Sequence, residues 1–338
     1  MITISDLEKY DPSGMYKIYD RWPDMAREAY ESDYDSMAFD GIDHIVFVGM
    51  GGSGAIGDIF ASLLYKKNIH VSLVKGYLLP STVDSKTLVV ITSISGNTVE
   101  TNTVLKTAKS LNCKLICFTS GGAMKNYCVL NKIEYHIFPK YHSPRASFIT
   151  YVYGILKILK SIIPISESDV QESLTIIDKL SHNISSCNLT VTNMSLNLAD
   201  WLSGIPLIYY PMGFQSTAVR FKSSIQENAK NHAIIEDIIE ACHNNIVAWE
   251  TKSNVNPILI RGPDDYVKTQ EHWEIIKKFL HNKQIDFYEI NSCRGGILSK
   301  LVYLIYLLDY SSIYFAIKRK TDPSPVLPIE FVKKQLSL

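Results

Sequence analysis

Short apolar runs alternate with longer helix-like stretches through the first half of the chain, and two of the runs end in turns of glycine and serine. The first turn, Gly49-Met50-Gly51-Gly52-Ser53-Gly54, follows His44-Ile45-Val46-Phe47-Val48. The second, Ser93-Ile94-Ser95-Gly96-Asn97-Thr98, follows Leu88-Val89-Val90-Ile91-Thr92. Uninterrupted apolar runs separated by helical patterns read as parallel strands buried on both faces. A Gly/Ser turn between such a strand and a helix points amide hydrogens and hydroxyls at one spot, where the helix N-terminus favours an anion. Two of them in one domain suggest a cradle for a phosphate on a small ligand.

Strand-like runs fall at 44–49, 70–75, 87–93, 114–119 and 135–138, and again at 206–211, 257–261 and 286–290. Helical patterns cover about 145–163, 167–180, 192–202, 217–230, 297–317 and 329–336. Residues 1–40, polar and rich in Asp and Tyr, read as a helical lead-in across the surface. The fold class expected is α/β, with two three-layer αβα domains of mainly parallel strands at 1–150 and 151–338 and a C-terminal helical tail. Only the first domain carries both glycine-serine turns.

Composition narrows the partners. Lys+Arg and Asp+Glu both number 34, so the formal net charge is zero, whereas non-specific nucleic-acid binding needs a basic surface. No apolar run approaches the roughly 18 residues of a membrane span, and Met1–Asp6 lacks a signal-peptide pattern. None of the six cysteines (113, 117, 128, 187, 242 and 293) forms a C-x-x-C pair, which fits a reducing cytoplasm without structural zinc. The nine histidines show no H-x-x-x-H spacing, and neither metal nor cofactor is expected.

The turn at 49–54 is superficially like the dinucleotide fingerprint, but the acid expected at the end of the next strand is missing from Leu73-Val74-Lys75-Gly76. Ser53 instead offers a hydroxyl at the helix start, which suits a phosphate. A triphosphate-binding G-x-x-x-x-G-K-[ST] loop is absent. In the second turn Ser93, Ser95 and Thr98 crowd a bend that Gly96 permits, although capping a helix needs one hydroxyl only.

These paired turns resemble the sugar isomerase (SIS) domain superfamily, whose members bind phosphosugars. Further segments resemble its archaeal-type bifunctional phosphoglucose/phosphomannose isomerases: Ser143-Pro144-Arg145-Ala146, Glu227-Asn228-Ala229-Lys230, His243 to Glu250, and Asp322-Pro323-Ser324-Pro325 with Lys333. The resemblance implies two SIS-like domains, a homodimer, and interconversion of glucose 6-phosphate or mannose 6-phosphate with fructose 6-phosphate. It implies that Ser53, Ser93, Ser95 and Thr98 hold the substrate phosphate beside the backbone of Gly51 and Gly52, and that Arg145 lies near the reacting carbons. Glu227 would carry the proton between C1 and C2. His243, supplied by the neighbouring subunit, and Lys333, with Lys334 as alternative, would assist ring opening. A small residue of the tail, Ser324 or Val326, would make room for C2 to turn. The family has an acid where Asn245 stands, so His243 lacks that charged neighbour.

Plainer readings stand beside these. Glu227 fits an ordinary glutamate on a solvated helix, Arg145 an interdomain ion pair, and His243 a structural histidine. Trp249 reads as helix packing and Glu250 as a solvated carboxylate. A phosphosugar-binding SIS regulator without catalysis is the rival function. A glucosamine 6-phosphate synthase is disfavoured, because the N-terminal cysteine of a glutaminase domain is missing.

Overall fold

The computed structural model describes residues 2–336. Three helices, α1 (Ile4–Tyr10), α2 (Met15–Asp20) and α3 (Trp22–Tyr30), come first. A strand–helix alternation follows: β1 (His44–Val48), α4 (Gly51–Leu64), β2 (His70–Val74), β3 (Thr87–Ser93), α5 (Val99–Ser110), β4 (Lys114–Thr119), α6 (Gly122–Asn131) and β5 (Glu134–Ile137). Then come α7 (Phe148–Ile158), α8 (Glu167–Ile184) and α9 (Met194–Trp201) without a strand between them. The second alternation is β6 (Ile205–Tyr210), α10 (Gln215–Asn228), β7 (Ile234–Asp237), α11 (Ile238–Ala241), a 3₁₀ turn at Asn245–Glu250, β8 (Val255–Arg261), α12 (Val267–Asn282) and β9 (Tyr288–Asn291). The chain closes with α13 (Ile297–Lys318) and α14 (Leu327–Leu336).

All pairings are parallel. The first sheet runs β2-β1-β3-β4-β5 and the second β7-β6-β8-β9, so β6, β7, β8 and β9 repeat the order of β1, β2, β3 and β4. Alternate side chains sort to opposite faces, as the strand period requires. Ile45, Phe47, Leu88, Val90, Ile116 and Phe118 face inward, while Val46, Val48, Val89, Ile91 and Cys117 face outward against α5 and α6. In the second sheet Ile208, Ile258 and Ile260 face inward, and Leu207, Tyr209 and Leu259 pack outward with α11 and α12. The inward faces of both sheets share one continuous core with α4, α7, α8, α9, α10 and α13. The α/β class is as expected, with a middle helical layer common to both halves.

At its centre lies α13. It is long and apolar enough to cross a membrane, but 89% of its apolar window is buried inside the fold, against α8, α9 and α10. A helix apolar all round is the mark of such a position.

The structure corrects four expectations. Residues 1–40 are not a surface lead-in: Trp22, Met25, Ala26, Ala29 and Tyr30 form one buried stripe on α3, and Trp22 stacks on Tyr19 and Tyr306 at 4.4 and 5.4 Å. The helix expected from Arg145 starts only at Phe148, because Ser147 turns its hydroxyl back to the carbonyls of Tyr141 and Ser143 and holds 143–147 as a loop. The helix carrying Glu227 is not solvated, since Thr217, Arg220, Phe221, Ser224 and Asn228 are buried. Finally β7, four residues at a sheet edge, was not expected.

Candidate active site

The cradle forms where both turns leave the first sheet. Gly51 opens α4 with φ of +51°, and the N-cap Met50 gives no side-chain cap. Ser53 Oγ accepts from the amide of Ile94 at 3.1 Å, which ties the two turns together. In the second turn Ser93 Oγ donates to Thr98 Oγ1 at 3.2 Å, and Ser95 Oγ accepts from Asn97 N at 3.3 Å. Thr98 is the N-cap of α5, yet its hydroxyl caps no amide. Simple capping therefore does not account for these hydroxyls. Gly96 has φ of +70°, and a Cβ there would lie 1.8 Å from the carbonyl oxygen of Gly121, so only glycine fits. Two helix N-termini thus converge with Ser53, Ser93, Ser95 and Thr98, an arrangement suited to a phosphate dianion.

The loop before α7 lies directly on this cradle: a Cβ on Gly52 would sit 3.4 Å from Arg145 N and from the carbonyl carbon of Pro144. Arg145 is 4% exposed, and its guanidinium spends its donors in four directions. Nε donates to Asn228 Oδ1 at 2.7 Å, Nη1 to Glu227 Oε2 at 3.2 Å, and Nη2 to the carbonyls of Pro323 and Ser324 at 2.6 and 3.0 Å. The interdomain ion pair expected for Arg145 exists, and its partner is Glu227. Glu227 lies in the last turn of α10 and borders a cavity of about 650 Å³ with Gln226, Lys230, Asn231, Val326 and Leu327.

Behind this pair a buried network fixes the loop. Arg220 Nη2 donates to the carbonyl of Arg145 at 2.7 Å and pairs with Asp309 Oδ2 at 2.6 Å. Asp309 also accepts from Ser224 Oγ and Tyr19 OH, and Trp22 Nε1 donates to the carbonyl of Ala146. On the other side Lys230 Nζ donates to the carbonyls of Glu227, Pro323 and Pro325. Burial, and next the Arg145 charge, holds the Lys230 ammonium below its usual value.

His243 stands apart from this cluster. His243 follows α11 on an exposed surface, and among the described residues its side chain makes no hydrogen bond or ion pair with Arg145 or Glu227. Lys333 and Lys334 lie on α14, a helix with no buried residue. Asn245, standing where the family has an acid, accepts from Tyr209 OH, which also receives Trp249 Nε1 at 2.9 Å. Trp249 is therefore packing, as expected, and Glu250 is exposed.

The second sheet treats its equivalent turn differently. After β8, the counterpart of β3, the carboxylate of Asp265 accepts from Gly262 N and Trp273 Nε1, both at 3.0 Å.

Sequence reasoning missed the Pro323 and Ser324 carbonyls, Asn228 and the Arg220–Asp309 pair. Asn228 and Lys230 lay inside a segment already singled out, whereas backbone acceptors leave no mark in a sequence.

The parallel sheets and the glycine-serine cradle form an α/β fold of SIS type, and two SIS-type family models match the chain. Residues 40–134 match the SIS domain, and residues 191–336 match the bacterial phospho-glucose isomerase C-terminal SIS domain. Its curated relatives include bifunctional phosphoglucose/phosphomannose isomerases. It is 29% identical to the one from Caldicellulosiruptor bescii, over 93% of this chain and 96% of that one. Its identity to the one from Aquifex aeolicus is 28%, over 96% of each. It is also 29% identical to a D-glucosamine-6-phosphate 4-epimerase from Sulfolobus acidocaldarius, over 75% of this chain and 78% of that one. Among solved structures, a hypothetical protein from Thermus thermophilus shares the fold with a TM-score of 0.76 at 14% identity, over 98% of this chain and 92% of the other. Tagatose-6-phosphate ketose/aldose isomerase from Escherichia coli gives 0.67 at 12% identity, over 93% and 96%.

Proposed function

We propose that this chain is a cofactor-independent aldose–ketose isomerase that interconverts glucose 6-phosphate and mannose 6-phosphate with fructose 6-phosphate. The observation that carries the reading is the Arg145–Glu227 pair, joining the two halves of the chain beside a serine-lined anion cradle. With the phosphate on Ser53, Ser93, Ser95 and Thr98, the Glu227 carboxylate removes the proton from C2 of the open-chain aldose. The electron pair forms a cis-enediol(ate) across C1 and C2. The same carboxylate returns the proton to C1, while a proton moves between O1 and O2, giving the ketose. One base serves both carbons because they are adjacent. The Arg145 guanidinium offsets the charge that develops on the enediolate oxygens, and its bonds to neutral acceptors keep it from moving as that charge appears.

Ring opening needs an acid at the ring oxygen and a base at the anomeric hydroxyl. In this reading the chain works as a cytoplasmic homodimer, with the partner subunit's His243 and this chain's Lys333 supplying them; the exposure of His243 and α14 in a single chain supports that arrangement. For mannose 6-phosphate, C2 must present its other face to Glu227. Val326 borders the cavity with Glu227, whereas the Ser324 hydroxyl turns toward His142 and Asp11, which favours Val326 as the residue that admits this rotation.

The test is turnover of fructose 6-phosphate in excess chelator, with glucose 6-phosphate and mannose 6-phosphate detected separately. Glu227→Gln is expected to abolish both products while sugar-phosphate binding persists. Folded wild-type protein that binds the sugar phosphate and releases neither product would overturn the reading in favour of a regulator. Conversion of glucosamine 6-phosphate alone would move the chain to the epimerase branch.

A further inference from the structure

The Pro323–Ser324 segment is gripped from two sides. Its carbonyls receive the Arg145 guanidinium, and the Ser324 hydroxyl lies 3.2 Å from His142 Nε2 and 3.4 Å from Asp11 Oδ1. His142 is three residues before Arg145 on the same loop, so imidazole, strap and guanidinium close a ring. His142 takes φ of +43°, the left-handed region that strains a side-chain-bearing residue and persists where surroundings over-determine it. Asp11 is 1% exposed and anchored by the amide of Tyr16 at 2.8 Å, so the far end of the contact is fixed in the N-terminal helices. The N-terminal helices, through Asp11, and the loop before α7, through His142, therefore meet at the Ser324 hydroxyl of the strap that receives Arg145. Neither His142 nor Asp11 has a part in the isomerisation chemistry itself.

We infer that His142, acting with Asp11 on the same Ser324 hydroxyl, is a positioning residue. It holds the Pro323–Ser324 strap in register, so that its two carbonyls fix the Arg145 guanidinium against Glu227. The inference rests on the isomerase reading for its catalytic consequence, but the clamp itself is a separate physical claim. From the second half of the chain, Lys230 also holds the Pro323 carbonyl. The strap's hydroxyl is the handle by which the first half of the chain sets it. Displacements of about 1 Å at a reacting centre cost on the order of 100-fold in rate. Loosening the strap therefore lowers kcat and leaves the phosphate cradle intact.

The experiment compares wild type, His142→Ala, His142→Gln and Ser324→Ala in two readouts. One is kcat and KM for fructose 6-phosphate; the other is amide hydrogen exchange over residues 321–336. Expected are a fall in kcat of about 10- to 100-fold in His142→Ala with little change in KM, and faster exchange in the tail. Ser324→Ala should reproduce both effects. His142→Gln, whose amide nitrogen reaches about where Nε2 stands, should restore most of each. Unchanged tail exchange in His142→Ala and Ser324→Ala overturns the clamp. Faster exchange with unchanged kcat, or a lower melting temperature alone, overturns the positioning role while leaving the isomerase reading intact. If wild type shows no turnover, the isomerase reading and the catalytic consequence fall together, and exchange alone decides whether the clamp exists.

Discussion

Replacing Arg145 by lysine keeps the charge and removes the fork. The guanidinium reaches Asn228, Glu227, Pro323 and Ser324 at once because its donors point in fixed, diverging directions. A lysine ammonium is a compact centre on a narrower reach and cannot span four acceptors. If it keeps Glu227 and the Pro323 carbonyl, the Ser324 carbonyl and Asn228 Oδ1, whose residue is fully buried, lose this donor. Each bare buried acceptor costs about 1–3 kcal/mol, so Arg145→Lys should lose about 2–6 kcal/mol of folding stability. The catalytic loss follows from displacing a preorganised donor, worth about 100- to 1000-fold in kcat. KM should move little, because the cradle hydroxyls are untouched. Steady-state kinetics on fructose 6-phosphate and urea denaturation give the two numbers. A folded Arg145→Lys protein whose kcat stays within about tenfold of wild type refutes the argument that the fork is what matters.

Two further changes probe the scaffold. Asp309→Ala strands the Arg220 guanidinium in the core and should cost about 3–5 kcal/mol in urea denaturation; a loss under about 1 kcal/mol would show the pair to be dispensable. His44 in β1 sits between Ser72 and Thr87, and burial, then the neighbouring His70, holds its pKa below the ordinary 6.5. The unfolded chain thus binds the proton more readily, so stability is fully present above pH 6.5 and is lost as pH falls through the depressed folded value. His44→Gln keeps a polar group facing Ser72 and cannot charge. Between about pH 7.5 and about pH 5.5 it should lose less stability than wild type, and equal losses would refute this.

The strands that hold the cradle were legible because parallel strands buried on both faces read as unbroken apolar runs: every residue of β1 and of β3 is buried. The edge strand β7, the counterpart of β2, is four residues, Ile-Ile-Glu-Asp, with no buried position, so no pattern distinguished it. The stripe Trp22, Met25, Ala26, Ala29 and Tyr30 was visible in spacing, and the surrounding Asp and Tyr residues masked it, although the tyrosines are themselves core. The site divides in the same way. Hydroxyls clustered within a turn declare themselves locally. The meeting of Arg145 with Glu227, 82 residues away, is set by how the two halves share a helical layer, and the roles of both came from resemblance rather than from pattern. The strap carbonyls belong to the backbone and have no letter in the sequence.

The Asp265 carboxylate on the turn after β8 makes the two halves unequal as ion binders. A dissolved phosphate approaching Gly262 meets a competitor tethered three residues away, whose effective concentration is set by the loop and not by the solution. Such tethering reaches the millimolar range even for flexible linkers, and this carboxylate is further held by the Trp273 indole. The repeated architecture therefore offers one cradle whose hydroxyls, among the described residues, face no carboxylate and one turn that carries its own plug, and the proposed function then calls for one sugar phosphate for each chain, not one for each sheet.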